Sequence, residues 1–431
     1  MKNNLFYKIK AVIFANRRYW PIDAELQSTF GEIEKDLKNL GIEEVSLCTD
    51  ESTVPISKVD GVLLAVPISG SVQSWVLNTA KHYHQVVLLA SYVDEVFRPE
   101  ITHKLLYANA APTFAECWSQ LRQKHPSSFV AITRGELYQK LALFRAANKI
   151  KNSRIVLIGD MEPWVLSPSR DFLAYEQFGP ELIQVSQQEL LEIAKNIPDA
   201  SAKKIADSYW NNAQKIFEPS YEDCIKAGAL AAAIDELLGR YDADAAAIAC
   251  FNLLAPSGTS SCMGVSYLNT RNTKIIACEG DLDSAVTMLL MKEVSKSNLW
   301  MANPAFRPDK SICYSHCTAP TKTSQNNTRP YILRNHHESG IGVSLQTLLP
   351  LNERVTIARF SSENSSIFMM GAQTFEADYK PVCRTQLNLR PDDSEFLINS
   401  LFGCHQVIAF EDCQKSLAEL SMILGLKVIQ A

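Results

Sequence analysis

Cys278-Glu279-Gly280-Asp281 sets two carboxylates at the end of an apolar run and just ahead of a stretch with almost no polar face. Lys274 to Cys278 reads as a short buried strand, and residues 283–294 read as a helix capped by Asp283 or Ser284. A carboxylate at the carboxyl end of a buried strand stands where open α/β sheets bind ligands, which makes Glu279 the leading candidate for chemistry. Two further polar clusters follow. One runs Met301-Ala302-Asn303-Pro304, with Tyr314-Ser315-His316-Cys317-Thr318-Ala319-Pro320 beyond it; the other is Gly403-Cys404-His405-Gln406, ahead of the apolar strand Val407 to Phe410. Carboxylate, amide and imidazole groups of this kind suit Mn²⁺, Mg²⁺ or Co²⁺.

Blander roles exist for each group. A glutamate before a helix complements the helix dipole, and no local motif such as His-Glu-x-x-His marks a metal site by spacing alone. Cys313-x-x-x-Cys317 around His316 suggests zinc, yet strand alternation points Cys313, Ser315 and Cys317 to one face and His316 to the other. Structural zinc needs four converging ligands. No Gly-x-Gly-x-x-Gly or Walker-type loop follows a strand, so a nucleotide cofactor is not expected. No Gly-x-Ser-x-Gly elbow supplies a serine nucleophile. Ser69-Gly70-Ser71 could hold a phosphate or a sugar hydroxyl. Asn335-His336-His337-Glu338-Ser339-Gly340 either lines a pocket or forms a solvated turn.

The elements that must position these groups follow an α/β rhythm. Strands are expected at Ile9–Ala15, Gly61–Val66 and Val86–Ala90, with helices at Ala24–Leu40 and Gly135–Lys149 and a boundary at Lys151-Asn152-Ser153. The rhythm restarts with strands Arg154–Gly159, Ala245–Phe251 and Thr273–Cys278 and helices Gln187–Lys195 and Tyr221–Leu238. After residue 300 short alternating stretches such as Thr385–Arg390 predict a β-rich, barrel-like part. A last helix, Gln414–Leu424, stops at Gly425, and residues 322–330 read as a polar loop. The expected architecture is therefore two doubly wound, Rossmann-like parallel-sheet domains (1–150 and 151–295) followed by a β-rich C-terminal domain (296–431).

Composition bounds the function. The chain has 431 residues, net charge −5, 46% hydrophobic and 21% charged residues, as in ordinary globular proteins. No basic run points to nucleic acid, and no segment approaches the roughly 20 apolar residues of a membrane span. The N-terminus lacks an apolar leader core. Eleven cysteines, several of them in apolar runs (Cys48, Cys250, Cys278, Cys313), fit reduced thiols in a cytoplasmic protein.

Ordered motifs add a resemblance. They are Glu162-Pro163-Trp164-Val165, Cys250-Phe251-Asn252-Leu253, Ser261-Cys262-Met263-Gly264-Val265-Ser266, and Cys278-Glu279-Gly280-Asp281 with Ala285–Leu289. His316–Pro320, His337-Glu338-Ser339-Gly340, Cys383-Arg384-Thr385 and Gly403-Cys404-His405 continue the series. In these the chain resembles the L-fucose and L-arabinose isomerase family, above all its shorter fucose-isomerase-like branch. The N-terminal part matches loosely, through Ile68-Ser69-Gly70-Ser71.

The resemblance implies an aldose–ketose isomerase of a pentose or deoxyhexose, two α/β domains with a barrel-like third, a divalent metal (usually Mn²⁺), and a homo-trimer or hexamer with sites near subunit interfaces. It implies Glu279 as metal ligand and acid/base, and His405 as the imidazole ligand. His316 looks like the additional histidine of the arabinose branch. Many relatives carry Asp where this chain has Asn303, an amide that can bind a metal but takes no proton at neutral pH. Gly403-Cys404-His405-Gln406 also departs from the branch's Gly-Asn-His-His. Asn303 would then act as a neutral ligand or orienter and Asp281 as substitute base. Trp164, Glu338 and Arg384 are implied as sugar contacts. The rival reading is a non-catalytic or weakly active sugar-binding relative. A third is a reaction on an acidic or phosphorylated sugar, with Arg17 and Arg18 of a neighbouring subunit holding the anion.

Overall fold

The computed structural model describes residues 8–53, 59–97, 109–125 and 127–430. Residues 1–7, where a leader core is not expected, lie outside the described residues. The chain divides into two compact units, Met1–Asn148 and Lys149–Ala431. Among the described residues no helix is long and apolar enough to cross a membrane. All eleven cysteines are free thiols, most of them buried.

The first unit is a parallel sheet of β1 (Ile9–Phe14), β2 (Glu44–Cys48), β3 (Val59–Pro67), β4 (Tyr83–Leu89) and β5 (Ser128–Ala131) in the order β2-β1-β3-β4-β5. Its helices are α1 (Asp23–Asn39), α2 (Gln73–Ala80), α3 (Ala111–Lys124) and α4 (Arg134–Lys151). Leu26, Ile33 and Leu37 form the buried stripe of α1 at helical spacing. The tips of β1 and β3 are tied together, Asn16 N–H donating to Ser69 Oγ (2.7 Å) and the Trp20 indole to Ile68 O (3.1 Å).

The second unit opens with β6 (Arg154–Ile158), α5 (Leu173–Glu176), β7 (Glu181–Val185), α6 (Gln187–Lys195), α7 (Asp199–Trp210), β8 (Lys215–Ile216) and α8 (Tyr221–Arg240). It continues with β9 (Ala245–Ile248), α9 (Leu254–Ser257), α10 (Cys262–Arg271), β10 (Ile275–Cys278) and α11 (Leu282–Val294). Strands β10-β9-β6-β7 form a second parallel sheet in that order. Residues Leu282 to Met291 of α11 are all buried, because the helix packs against β9 and β10 on one side and against barrel strands on the other. That sandwiching is why its sequence has no polar face.

The remaining strands are β11 (Leu299–Phe306), β12 (Ile312–His316), β13 (Lys322–Ser324), β14 (Asn327–Thr328), β15 (Tyr331–Arg334), β16 (Ser344–Thr347), β17 (Arg354–Ser361), β18 (Ser366–Phe375) and β19 (Thr385–Pro391). Helix α12 (Ser394–Asn399), β20 (Gln406–Ala409), α13 (Gln414–Ile423) and β21 (Lys427–Gln430) complete the chain. Six antiparallel strands, β17-β20-β11-β12-β19-β18, close into a barrel through the β17–β18 pairing, with β21 parallel on β18. Alternate residues fill it, among them Trp300, Ala302, Ile312, Tyr314, Phe368 and Ile408. A small sheet β16-β15-β8 lies beside α7 and α8.

Two expectations are corrected. Residues 322–328 are not an open loop but the β13–β14 hairpin, whose exposed residues carry no apolar alternation. The cap of α11 is neither Asp283 nor Ser284 but Asp281, whose backbone is extended and whose carboxylate accepts the Ser284 N–H at 2.9 Å. Asp283 instead lies in the first turn, turned inward to the Tyr175 hydroxyl (2.8 Å). Gly425 stands as expected just past α13, at φ +78°.

Candidate metal centre

Strand β10 is buried at every position and is followed by two left-handed residues, Glu279 (φ +59°) and Gly280 (φ +66°). A left-handed glutamate is strained by about 1–2 kcal/mol, a cost that persists where surrounding contacts over-determine it. Here Gly280 N–H donates to Ile248 O (2.9 Å) and Glu162 N–H to Glu279 O (3.1 Å). Gly280 must be glycine, since a Cβ would fall 2.7 Å from Met161 Cα. The turn swings the Glu279 side chain out of the strand row into a largely buried position, 12% exposed.

The two Glu279 oxygens face different groups. Oε2 accepts the Trp164 indole N–H at 2.7 Å, while Oε1 lies 3.4 Å from His405 Nε2 and 3.8 Å from His316 Nε2. The two imidazoles stand edge to face, ring centroids 5.8 Å apart. One ligand atom from each of the three residues lies within 4.8 Å of the others. The chain thus brings side chains from the end of β10, the end of β12 and the residue before β20 to one point.

Charged groups behind this point fix His405. Its Nδ1 lies 2.8 Å from Asp281 Oδ2, so Nδ1 carries the proton and Nε2 faces Glu279. Nε2 is fully buried and, among the described residues, has no hydrogen-bond partner. Asp281 also accepts from Arg359 Nη1 (2.7 Å) and Ser284 Oγ (3.0 Å). Arg359 is wholly buried, bonded besides to Ser284 and Ser167 and lying 3.9 Å from Asp283.

The electrostatics follow from this packing. Burial pushes the Glu279 carboxyl up, but His405, His316 and the Trp164 indole outweigh it and hold it down at about 2. Burial opposes charge on His405, yet Asp281, Cys404 and Glu279 raise it well above the usual imidazole range. Burial and the charge of His405 lower His316 to about 4, leaving it neutral at pH 7 and able to act as a ligand. Asp281 is lowered despite its burial, chiefly by Arg359 and His405. Asp283 is raised by burial to about 6, with Arg359 opposing.

A divalent cation fits this donor set. An imidazole nitrogen with no partner faces a carboxylate oxygen at 3.4 Å, and a neutral His405 there would oppose lone pair to lone pair. Something positive belongs between them, a proton or a metal ion. Two imidazoles and a carboxylate suit Mn²⁺, Co²⁺ or Zn²⁺ more than a cation that takes oxygens alone. Asp281, Cys404 and His405 form a second close group, but there the Asp281 oxygens are already taken by Arg359, Ser284 and His405.

The other expected residues fall at varied distances from this centre. Asn303 is half-buried on β11, paired with Ser315; carried one residue further, the β11–β20 register sets it opposite His405. It shares a strand face with Met301, whose Sδ accepts the Cys278 N–H at 3.4 Å. Trp164 is half exposed and packs edge-on against Phe251, centroids 4.9 Å apart. Asp281, expected as a substitute base, is fully buried with its lone pairs occupied, so its role is to hold His405. Arg384 donates to Asn335 through two guanidinium nitrogens and ties the β15–β16 turn to β19. Glu338 lies in that solvated turn, its carboxylate 4.0 Å from His336 Nε2. Arg17 pairs with Asp23 on the first unit, beside an exposed Arg18.

Arg359 was not anticipated. Its signal was a charged side chain inside the apolar strand Ile357-Ala358-Arg359-Phe360, a placement that demands buried partners. Glu162 was anticipated only as part of a motif; it is 1% exposed and accepts the Phe251 N–H at 3.0 Å, bracing the wall behind Trp164. Comparison with protein-family models and with curated proteins finds no match for this chain.

Proposed function

We propose that this chain is a divalent-cation-dependent aldose–ketose isomerase acting on an open-chain pentose or deoxyhexose. One observation carries the reading: the Glu279 carboxylate, the buried unpartnered Nε2 of His405 and the neutral His316 converge on a single point. Glu279, His405 and His316 would hold the ion, Mn²⁺ or Co²⁺ before Mg²⁺, with Asn303 as a neutral oxygen donor. The bound cation would polarise the sugar's adjacent oxygens, worth several kcal/mol of charge stabilisation.

The chain's own groups divide the remaining work. Glu279 stays ionised at neutral pH and is the proton carrier between C1 and C2, through an enediol. Trp164 fixes the Oε2 end of that carboxylate, and its exposed ring offers a face to the C–H groups of a sugar. Arg359 and Asp281 keep the His405 proton on Nδ1. The trimer or hexamer implied by the resemblance belongs to the same proposal.

Asn303 supports a second reading, a chain that binds sugar without turning it over, because an amide supplies neither anionic charge nor a base. General acid–base groups contribute about 10²–10⁴-fold. The test is aldose-to-ketose conversion over a panel of aldopentoses and 6-deoxyhexoses with added Mn²⁺. Conversion that disappears in Glu279→Gln supports the enzyme. Sugar binding without conversion in the wild type supports the second reading.

A further inference from the structure

The second parallel sheet has another ligand position, beside the Glu279 turn but not lined by Glu279. Chain order runs outward from β6 to β7 on one side and from β9 to β10 on the other, so the strands part direction between β6 and β9. Crevices at the carboxyl ends of such a switch point are where open α/β sheets bind ligands. A cleft of about 470 Å³ opens there, within the size range of small-molecule sites.

The lining decides what could bind. Among the described residues Val185 is its one apolar side chain, no lysine, arginine or histidine contributes, and Asp160 brings a carboxylate. Phosphates and carboxylates are therefore disfavoured, and the α6 N-terminus is already capped by Ser186. Gln184 gives Nε2 protons to Gly159 O (2.9 Å) and Asp160 Oδ1 (2.6 Å), leaving its Oε1 as an acceptor. Gln187 is held by its bond to Ala249 O (2.7 Å) and also keeps Oε1. Asp160 retains Oδ2, and the exposed Asn252 side chain adds an amide oxygen and an amide nitrogen. The cleft presents an excess of fixed acceptors, which calls for a neutral ligand rich in O–H donors.

We propose that this switch-point cleft is a binding subsite for a neutral polyhydroxylated ligand, held by Asp160, Gln184, Gln187 and Asn252. The subsite stands on the cleft's own chemistry and does not need the cation centre to be catalytic. It is nevertheless adjacent to that centre, since the Asp160 carbonyl and Met161 Cα pack against Gly280, and Asn252 follows the Phe251 that braces Trp164. The polyol has two sources, a free sugar or the distal part of a longer substrate whose reacting end lies at Glu279.

The test is calorimetric or saturation-transfer titration of the full chain, stripped of metal by EDTA, with D-ribose, L-arabinose, L-fucose and D-glucitol. At least one should bind, and Gln184→Leu and Asn252→Leu should each weaken it on the order of tenfold. Both leucine variants alter exposed side chains, so thermal melting should stay at the wild-type value. Absence of binding by every polyol, or binding unchanged in both leucine variants, overturns the subsite. Repeating the titration with Mn²⁺ and a disaccharide separates the sources: tightening with the cation marks a ligand spanning both pockets, and indifference marks one confined to the cleft.

Discussion

His405 Nδ1 lies 2.8 Å from Asp281 Oδ2, and both side chains are fully buried. This pairing suits the imidazole to act as a directed ligand, because the carboxylate fixes both the tautomer and the ring plane. Asp281→Asn should weaken Mn²⁺ binding by about 10–100-fold, the usual effect of losing a carboxylate behind a histidine ligand. Titration followed by the Mn²⁺ electron-spin resonance signal measures it; an unchanged affinity would remove Asp281 from the account.

Arg359 is the counterweight to that carboxylate. Arg359→Met leaves Asp281 a buried charge with only His405 to balance it, and should lower unfolding free energy by about 3–5 kcal/mol. Denaturant melts read this directly. A change below about 1 kcal/mol would mean that solvent reaches the network.

Trp164 acts on the other end of the centre. Trp164→Phe keeps a ring against Phe251 but removes the donor to Glu279 Oε2. Loss of a hydrogen bond to a charged group predicts about a tenfold fall in the proposed aldose–ketose turnover, with little change in stability for a half-exposed residue. Equal turnover in the two proteins would make the indole a wall and nothing more.

Asp283 supplies a pH dependence. Its folded pKa of about 6 is raised above the ordinary aspartate value, so the folded chain takes up a proton as pH falls through 6. The Asp283 contribution to stability therefore grows from pH 8 to pH 5 and is complete below about pH 4. Asp283→Asn, which cannot titrate, should cost less stability at pH 8 than at pH 5. A cost that is larger at pH 8 reverses the sign and contradicts the assignment.

Much of this was legible in the chain, for reasons that can be named. Ile275–Cys278 and the mostly apolar α11 announced themselves because burial on both sides leaves the helix no polar face, and Glu279 stood out at their junction. The closed barrel showed only as alternation, since closure depends on the β17–β18 pairing and not on either strand's composition. Asp281, Asp283 and Ser284 are all good caps by residue type; backbone direction, set by the Glu279–Gly280 turn, chose the first. Arg359 contacts Asp281 across 78 residues, a relation no local pattern encodes. Strands β2 and β7 are mostly half-buried and so carry a blurred alternation. Arg384 matched a motif by type, yet its guanidinium is bonded to Asn335.

The convergence of Glu279, His316 and His405 on one cation is tested most directly by counting bound Mn²⁺ on the purified full chain and on Glu279→Gln and His405→Ala. One equivalent per chain in the wild type, lost or weakened at least tenfold in each variant, is the result expected. A wild-type chain that takes up no divalent ion, or variants that bind as the wild type does, would contradict it.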